Sequence, residues 1–125
     1  MNINIDYKNR TPIYEQIVDD IEKYVSLGIL KEGEQIMSIR EMAINLGINP
    51  NTVKKAYDIL EQKNIITTVS TKGTYITTNT KQVIENKIEK DIIAIKSKID
   101  ALTKLGLTRE EILNRISKSK KNKSA

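Results

Sequence analysis

Between Asn49 and Lys55 the chain places three kinds of polar group in quick succession: the amides of Asn49 and Asn51, the hydroxyl of Thr52, and the ammonium groups of Lys54 and Lys55. Amides and hydroxyls pair with the edges of nucleotide bases and ammonium groups meet phosphate, so this set suits contact with a nucleic acid. Covalent catalysis has little to work with. The sequence holds neither histidine nor cysteine, which removes Ser-His-Asp and Cys-His arrangements, thiolate metal ligands and disulfides. Paired carboxylates such as Glu15 with Asp19, or Glu110 with Glu111, read as solvated helix residues. The chain is not expected to be an enzyme, and no cofactor or metal is expected.

The elements that must hold these groups can be read around them. Ser38 is placed to cap a helix, with Glu41 three positions on to complete a capping box. Ile39, Met42, Ala43 and Leu46 then form one apolar face. Gly47 suits the left-handed residue that closes a helix. Asn49 and Pro50 follow as the N-cap and first residue of a second helix, where proline lacks an N–H that would be unbonded anyway. That helix turns Val53, Ala56, Tyr57 and Leu60 inward and leaves Asn51, Thr52, Lys54, Lys55 and Asp58 toward solvent or a ligand. The result is a helix-turn-helix, a unit that also occurs as plain packing in all-helical proteins.

Flanking segments complete a domain. Pro12 opens an earlier helix with Ile13, Ile17, Val18, Ile21, Tyr24 and Val25 on one side, ending near Gly28. Ile3 and Ile5 alternate with polar residues, which fits either a short edge strand or a disordered terminus. Beyond Asn64, a plausible left-handed stop, the runs 65–69 and 74–78 are β-branched or aromatic and enclose Ser70-Thr71-Lys72-Gly73. This predicts a hairpin packed on the helices, with Lys72 and Gly73 at its tip. The tip reads equally as a wing that approaches a groove and as an ordinary turn with a solvated lysine.

After Thr80 the pattern changes: Ile84, Ile88, Ile92, Ile95, Ile99 and Leu102 recur at coiled-coil-like intervals over a charged background. The helix is expected to stop near Gly106, and Thr108 with Glu111 forms a second capping box that starts a short helix bearing Ile112, Leu113 and Ile116. A stretch this short cannot enclose an effector pocket of roughly 300 Å³ or more. Its apolar seam either folds back on its own domain or pairs with a second chain; the second is preferred, because symmetric pairing would present two reading helices to one duplex. The last residues, 118–125, are polar and basic and are expected to be disordered.

Composition is consistent with this. Lys and Arg number 21 against 16 Asp and Glu, a net charge of +5 that favours polyanionic partners. No apolar run approaches the ~20 residues that span a bilayer, and the N-terminus lacks a signal-peptide core, so no membrane partner and a cytoplasmic location are expected.

Five blocks in order resemble the GntR family of bacterial winged helix-turn-helix regulators: Pro12 to Ile17, Gly28 to Gly33, Ser38 to Ala43, Gly47 to Val53 with Ala56 to Leu60, and Lys72 to Ile76. The resemblance implies that Arg40 contacts DNA from the helix before the reading helix, that Asn51, Thr52 and Lys54 occupy contact positions, and that Gly73 lies at the wing. Two departures stand out: Met37 replaces the proline usual before the capping serine, and Val69, Ser70 and Thr71 stand where the wing is commonly richer in arginine and glycine. The short tail looks like that of the dimeric YtrA subgroup.

The expected architecture is therefore mainly α with a small β-wing: a winged helix-turn-helix domain over 1–78, a two-helix dimerisation region over 79–117 and a basic tail over 118–125. The expected function is that of a homodimeric regulator, most simply a repressor, binding a palindrome in double-stranded DNA, with no effector ligand required. DNA contacts fall to Arg40, Asn49, Asn51, Thr52, Lys54, Lys55, Lys72 and Gly73, and dimerisation to Ile84, Ile88, Ile92, Ile95, Ile99 and Leu102. The alternative is a winged-helix module whose basic helix docks an acidic protein.

Overall fold

Local chemistry sets most of the element boundaries in the computed structural model, which describes residues 2–119. In chain order these are α1 (Ile13–Ser26), β1 (Gln35–Ile36), α2 (Ile39–Leu46), α3 (Pro50–Gln62), β2 (Ile66–Val69), β3 (Gly73–Ile76), α4 (Thr80–Lys104) and α5 (Arg109–Lys118). Ser38 caps α2 by accepting from the Glu41 N–H at 3.1 Å, and Glu41 returns a bond to the Ser38 N–H at 3.0 Å. Thr108 and Glu111 form the same box at α5, at 3.1 and 2.9 Å. Gly47 ends α2 in the left-handed region (φ +66) and Asn64 follows α3 in the same conformation (φ +61).

The capping boxes carry a pH dependence. The Ser38 backbone N–H and then its hydroxyl hold the Glu41 carboxyl below its ordinary value of 4.5, and Thr108 does the same to Glu111. A carboxyl depressed by folding stabilises fully above pH 4.5, and that contribution is lost as pH falls through the lower, folded value. Ser38→Ala should lower the unfolding free energy by about 1 kcal/mol in urea titrations. Glu41→Ala should also destabilise, by a margin that narrows as titrations are repeated below pH 4.5.

The apolar faces of α1, α2 and α3 meet over one core with the sheet. Ile17, Ile21, Val25, Met42, Val53, Leu60, Ile65, Ile66 and Ile76 are almost completely buried there. α3 packs against α1, α2 and β2, and a Lys63–Glu22 ion pair at 3.2 Å joins the ends of α3 and α1. The tyrosine hydroxyl of Tyr24 reaches the Asn2 carbonyl. That contact and the burial of Ile3 tie the N-terminal segment down as coil, so the edge strand considered for Ile3 and Ile5 does not form.

The sheet contains one more strand than the hairpin expected from sequence. Its order is β1-β3-β2, antiparallel throughout, with Gln35 opposite Tyr75 and Ile36 opposite Thr74. β2 pairs with β3 from Ile66↔Ile76 to Val69↔Gly73. A two-residue strand has no alternation to read in the sequence; only its partner's free edge defines it.

Contacts divide the chain between Glu85 and Asn86. The first turn of α4 belongs to the N-terminal unit. The buried Thr80 hydroxyl contacts that of Thr77 and lies within hydrogen-bond distance of the carbonyls of Ile65 (3.1 Å) and Thr77 (2.8 Å). Ile84 joins the core one turn later. In the C-terminal unit α5 ends at Lys118, one residue into the stretch expected to be tail; residues 120–125 of that tail lie outside the described residues.

Candidate nucleic-acid interface

α3 sorts its side chains as its sequence pattern requires. Val53, Ala56, Tyr57 and Leu60 are buried, while Asn51, Lys54 and Lys55 are exposed and Thr52 is half-buried. Asn49 caps the helix, its Oδ1 accepting from the Asn51 N–H at 2.8 Å, which leaves its amide N–H groups and one lone pair of the oxygen for a ligand. The Tyr57 hydroxyl donates to the Met37 carbonyl at 2.7 Å and holds α3 to the entry of α2. Burial, followed by the nearby Glu41 charge, pushes the Tyr57 phenol up. It therefore remains a donor at neutral pH.

The two lysines of α3 are not free rods. Lys54 pairs with Asp58 one turn on at 2.8 Å, with both side chains more than half exposed. The hydrogen bond to Asp58 and then its charge push the Lys54 ammonium up, so it stays cationic. Such an exposed pair is weak enough to open for a phosphate or a base edge. Its i,i+4 spacing was legible in the sequence. Lys55 lies over the ring of Tyr14 on α1, 4.1 Å from its centroid, a contact between distant segments that no sequence pattern announces.

Arg40 is exposed on α2, Lys72 is exposed in the turn between β2 and β3, and Gly73 follows it with φ +117. The fold thus displays all eight expected contact residues at least partly on the surface of one unit. Five come together simply because α3 and its cap carry them. Arg40 depends on the packing of α2 against α3, and Lys72 on the hairpin. Among the described residues no hydrogen bond or ion pair joins the side chain of Arg40 or Lys72 to the other six.

Helix-turn-helix, sheet and cationic α3 together match a known pattern, since residues 13–76 correspond to the bacterial regulatory proteins of the gntR family. The chain belongs to that family. It is 41% identical over 100 residues to the HTH-type transcriptional repressor YtrA of Bacillus subtilis (strain 168), an alignment covering 80% of this chain and 75% of the relative. A crystal structure of a transcriptional regulator from Oenococcus oeni superposes with a TM-score of 0.69 at 36% identity, covering 94% of this chain and 95% of the other. YtrA from Sulfolobus acidocaldarius, a GntR-family transcription factor, superposes at 0.61 with 32% identity over 93% and 94%. These matches reach past the winged domain into the C-terminal helices. The GntR protein is accordingly a DNA-binding transcription regulator rather than an enzyme, and none of its described helices is long and apolar enough to cross a membrane.

Of the expected dimerisation residues, Ile84 stands apart. It is only 6% exposed in the core of the N-terminal unit, whereas Ile88, Ile92, Ile95 and Leu102 are 41, 52, 55 and 38% exposed and Ile99 is half-buried. Ile84 is therefore covered by its own chain, and the uncovered seam begins at Ile88.

Proposed function

We propose that this GntR regulator is a cytoplasmic homodimeric repressor that occupies a palindromic operator and blocks the promoter it overlaps. The observation that carries the reading is the exposed, polar and cationic side of α3 set against its fully buried apolar side. Residues 1–78, with the first turn of α4 packed on them, act as the DNA-binding domain and the remainder of 79–117 as the dimerisation region. A rigid α3 presents Asn51, Thr52 and Lys54 to base edges in the major groove, with Asn49 at its tip and Arg40 beside it. Lys55 and Lys72 meet phosphate, and Gly73 lies beside Lys72 at the wing. Repression is supported by the name of the Bacillus subtilis relative. Pairing is supported by the exposed Ile88, Ile92 and Ile95 of α4, which recur on one side of the helix at the spacing by which a second copy could cover them. The sequence requires no effector ligand.

Selection of bound sites from a random duplex pool tests the reading, with inverted half-sites as the expected product. On the selected site Asn51→Ala should cost ~1 to 3 kcal/mol while leaving random duplex unaffected. Lys55→Ala should weaken both alike and shallow the salt dependence by about one unit per bound subunit. Equal losses on both duplexes for Asn51→Ala would remove it from base reading. If a gel shift with promoter DNA shows no binding at low salt, the DNA reading is removed and the acidic-protein alternative is left.

A further inference from the structure

Both backbone groups of Lys72 are engaged. Its N–H donates to the Val69 carbonyl at 2.9 Å and closes the hairpin turn. Its carbonyl receives two side-chain donors, the Tyr75 hydroxyl at 2.9 Å and Gln35 Nε2 at 3.3 Å. Gln35 and Tyr75 are directly opposite one another in the β1–β3 register, so their side chains lie on the same face of the sheet and converge on one acceptor. Gly73 makes room for this: a Cβ at that position would sit 2.5 Å from Gln35 Nε2.

The turn needs such support. Thr71 has φ +65, a left-handed conformation that a β-branched residue adopts only at a cost and keeps only where its surroundings over-determine it. Beyond the β2–β3 ladder only the Lys72 to Val69 backbone bond closes the turn, and with that alone a tip of this composition would sample other conformations and carry the Lys72 ammonium with it.

We infer that Gln35 and Tyr75 are positioning residues for the wing, holding the Lys72 carbonyl so that a strained tip delivers the Lys72 ammonium to the DNA backbone in one place. β1 thereby has a role besides closing the sheet: it supplies one of the two braces. The inference rests on the proposed contact between Lys72 and phosphate, and its test separates the two.

Affinity of the full chain for the selected operator would be titrated against salt for the wild type, Lys72→Ala, Tyr75→Phe, Gln35→Met, the Tyr75→Phe/Gln35→Met pair, and that pair combined with Lys72→Ala. Each brace variant keeps the approximate shape of the side chain and loses the polar group that bonds the Lys72 carbonyl. The pair should lose affinity on the order of fivefold and shallow the salt slope by up to about 1.8 for the dimer on its operator, as expected for one phosphate contact from each of two wings at about 0.9 each. Added to Lys72→Ala, the same pair should change nothing further. If Lys72→Ala weakens binding while the pair binds like wild type, the positioning role is wrong and the wing contact stands. Losses that add in full to that of Lys72→Ala would also overturn it, because the braces would then act through something other than Lys72. Wild-type binding by Lys72→Ala would remove the wing contact, and the inference with it.

Discussion

Replacing Ile92 and Ile95 together with glutamate is expected to leave the GntR regulator monomeric and to weaken its binding to a two-half-site operator by about a hundredfold or more. Both side chains are more than half exposed on α4, so the change opens no cavity within the subunit. What it removes is apolar area available to a partner, and it adds like charges that would face each other across a symmetric seam. Linking two reading helices makes the second half-site encounter intramolecular, and loss of that linkage typically forfeits a factor of about 10² to 10⁴. Sedimentation would report the mass, and a duplex with one half-site should bind the variant and the wild-type subunit alike. A variant that still sediments as a dimer would place the interface elsewhere.

Leu60→Ala should cost about 2 to 5 kcal/mol of folding stability, a large share of what a domain of this size possesses. Leu60 is fully buried on the inner side of α3, and neighbours drawn from several elements cannot all collapse into the space left. Urea titration measures the loss. Ile44→Ala is the counterpart: Ile44 is 73% exposed on α2, and its removal should shift stability by no more than about 0.5 kcal/mol. The comparison separates residues that hold the reading helix in place from apolar residues that face water. Comparable losses at the two positions would contradict the core described for α3.

The interface and the scaffold differ in how far they can be read in one dimension. The inward row Val53, Ala56, Tyr57 and Leu60 follows from helical period, and the structure buries those four residues of α3. Asn49, Ser38 and Thr108 act as caps because a short oxygen-bearing side chain next to free N–H groups bonds them regardless of the rest of the fold. The same period is less informative on α4. Ile84 and Ile88 belong to one repeat in the sequence, yet Ile84 is in the core and Ile88 in solvent. The repeat records which side of the helix is apolar, not what covers it.

The helices, their caps, the left-handed stops at Gly47 and Asn64, and the polar side of α3 are legible along the chain, because these depend on interactions among residues a few positions apart. Tertiary structure alone decided the two-residue strand β1, the Tyr14 ring beneath Lys55, the braces from Gln35 and Tyr75 to Lys72, and the burial of Thr80 and Ile84. Each of these joins positions whose proximity is produced by packing of the core, and packing depends on how whole faces fit together rather than on the order of residues along either segment.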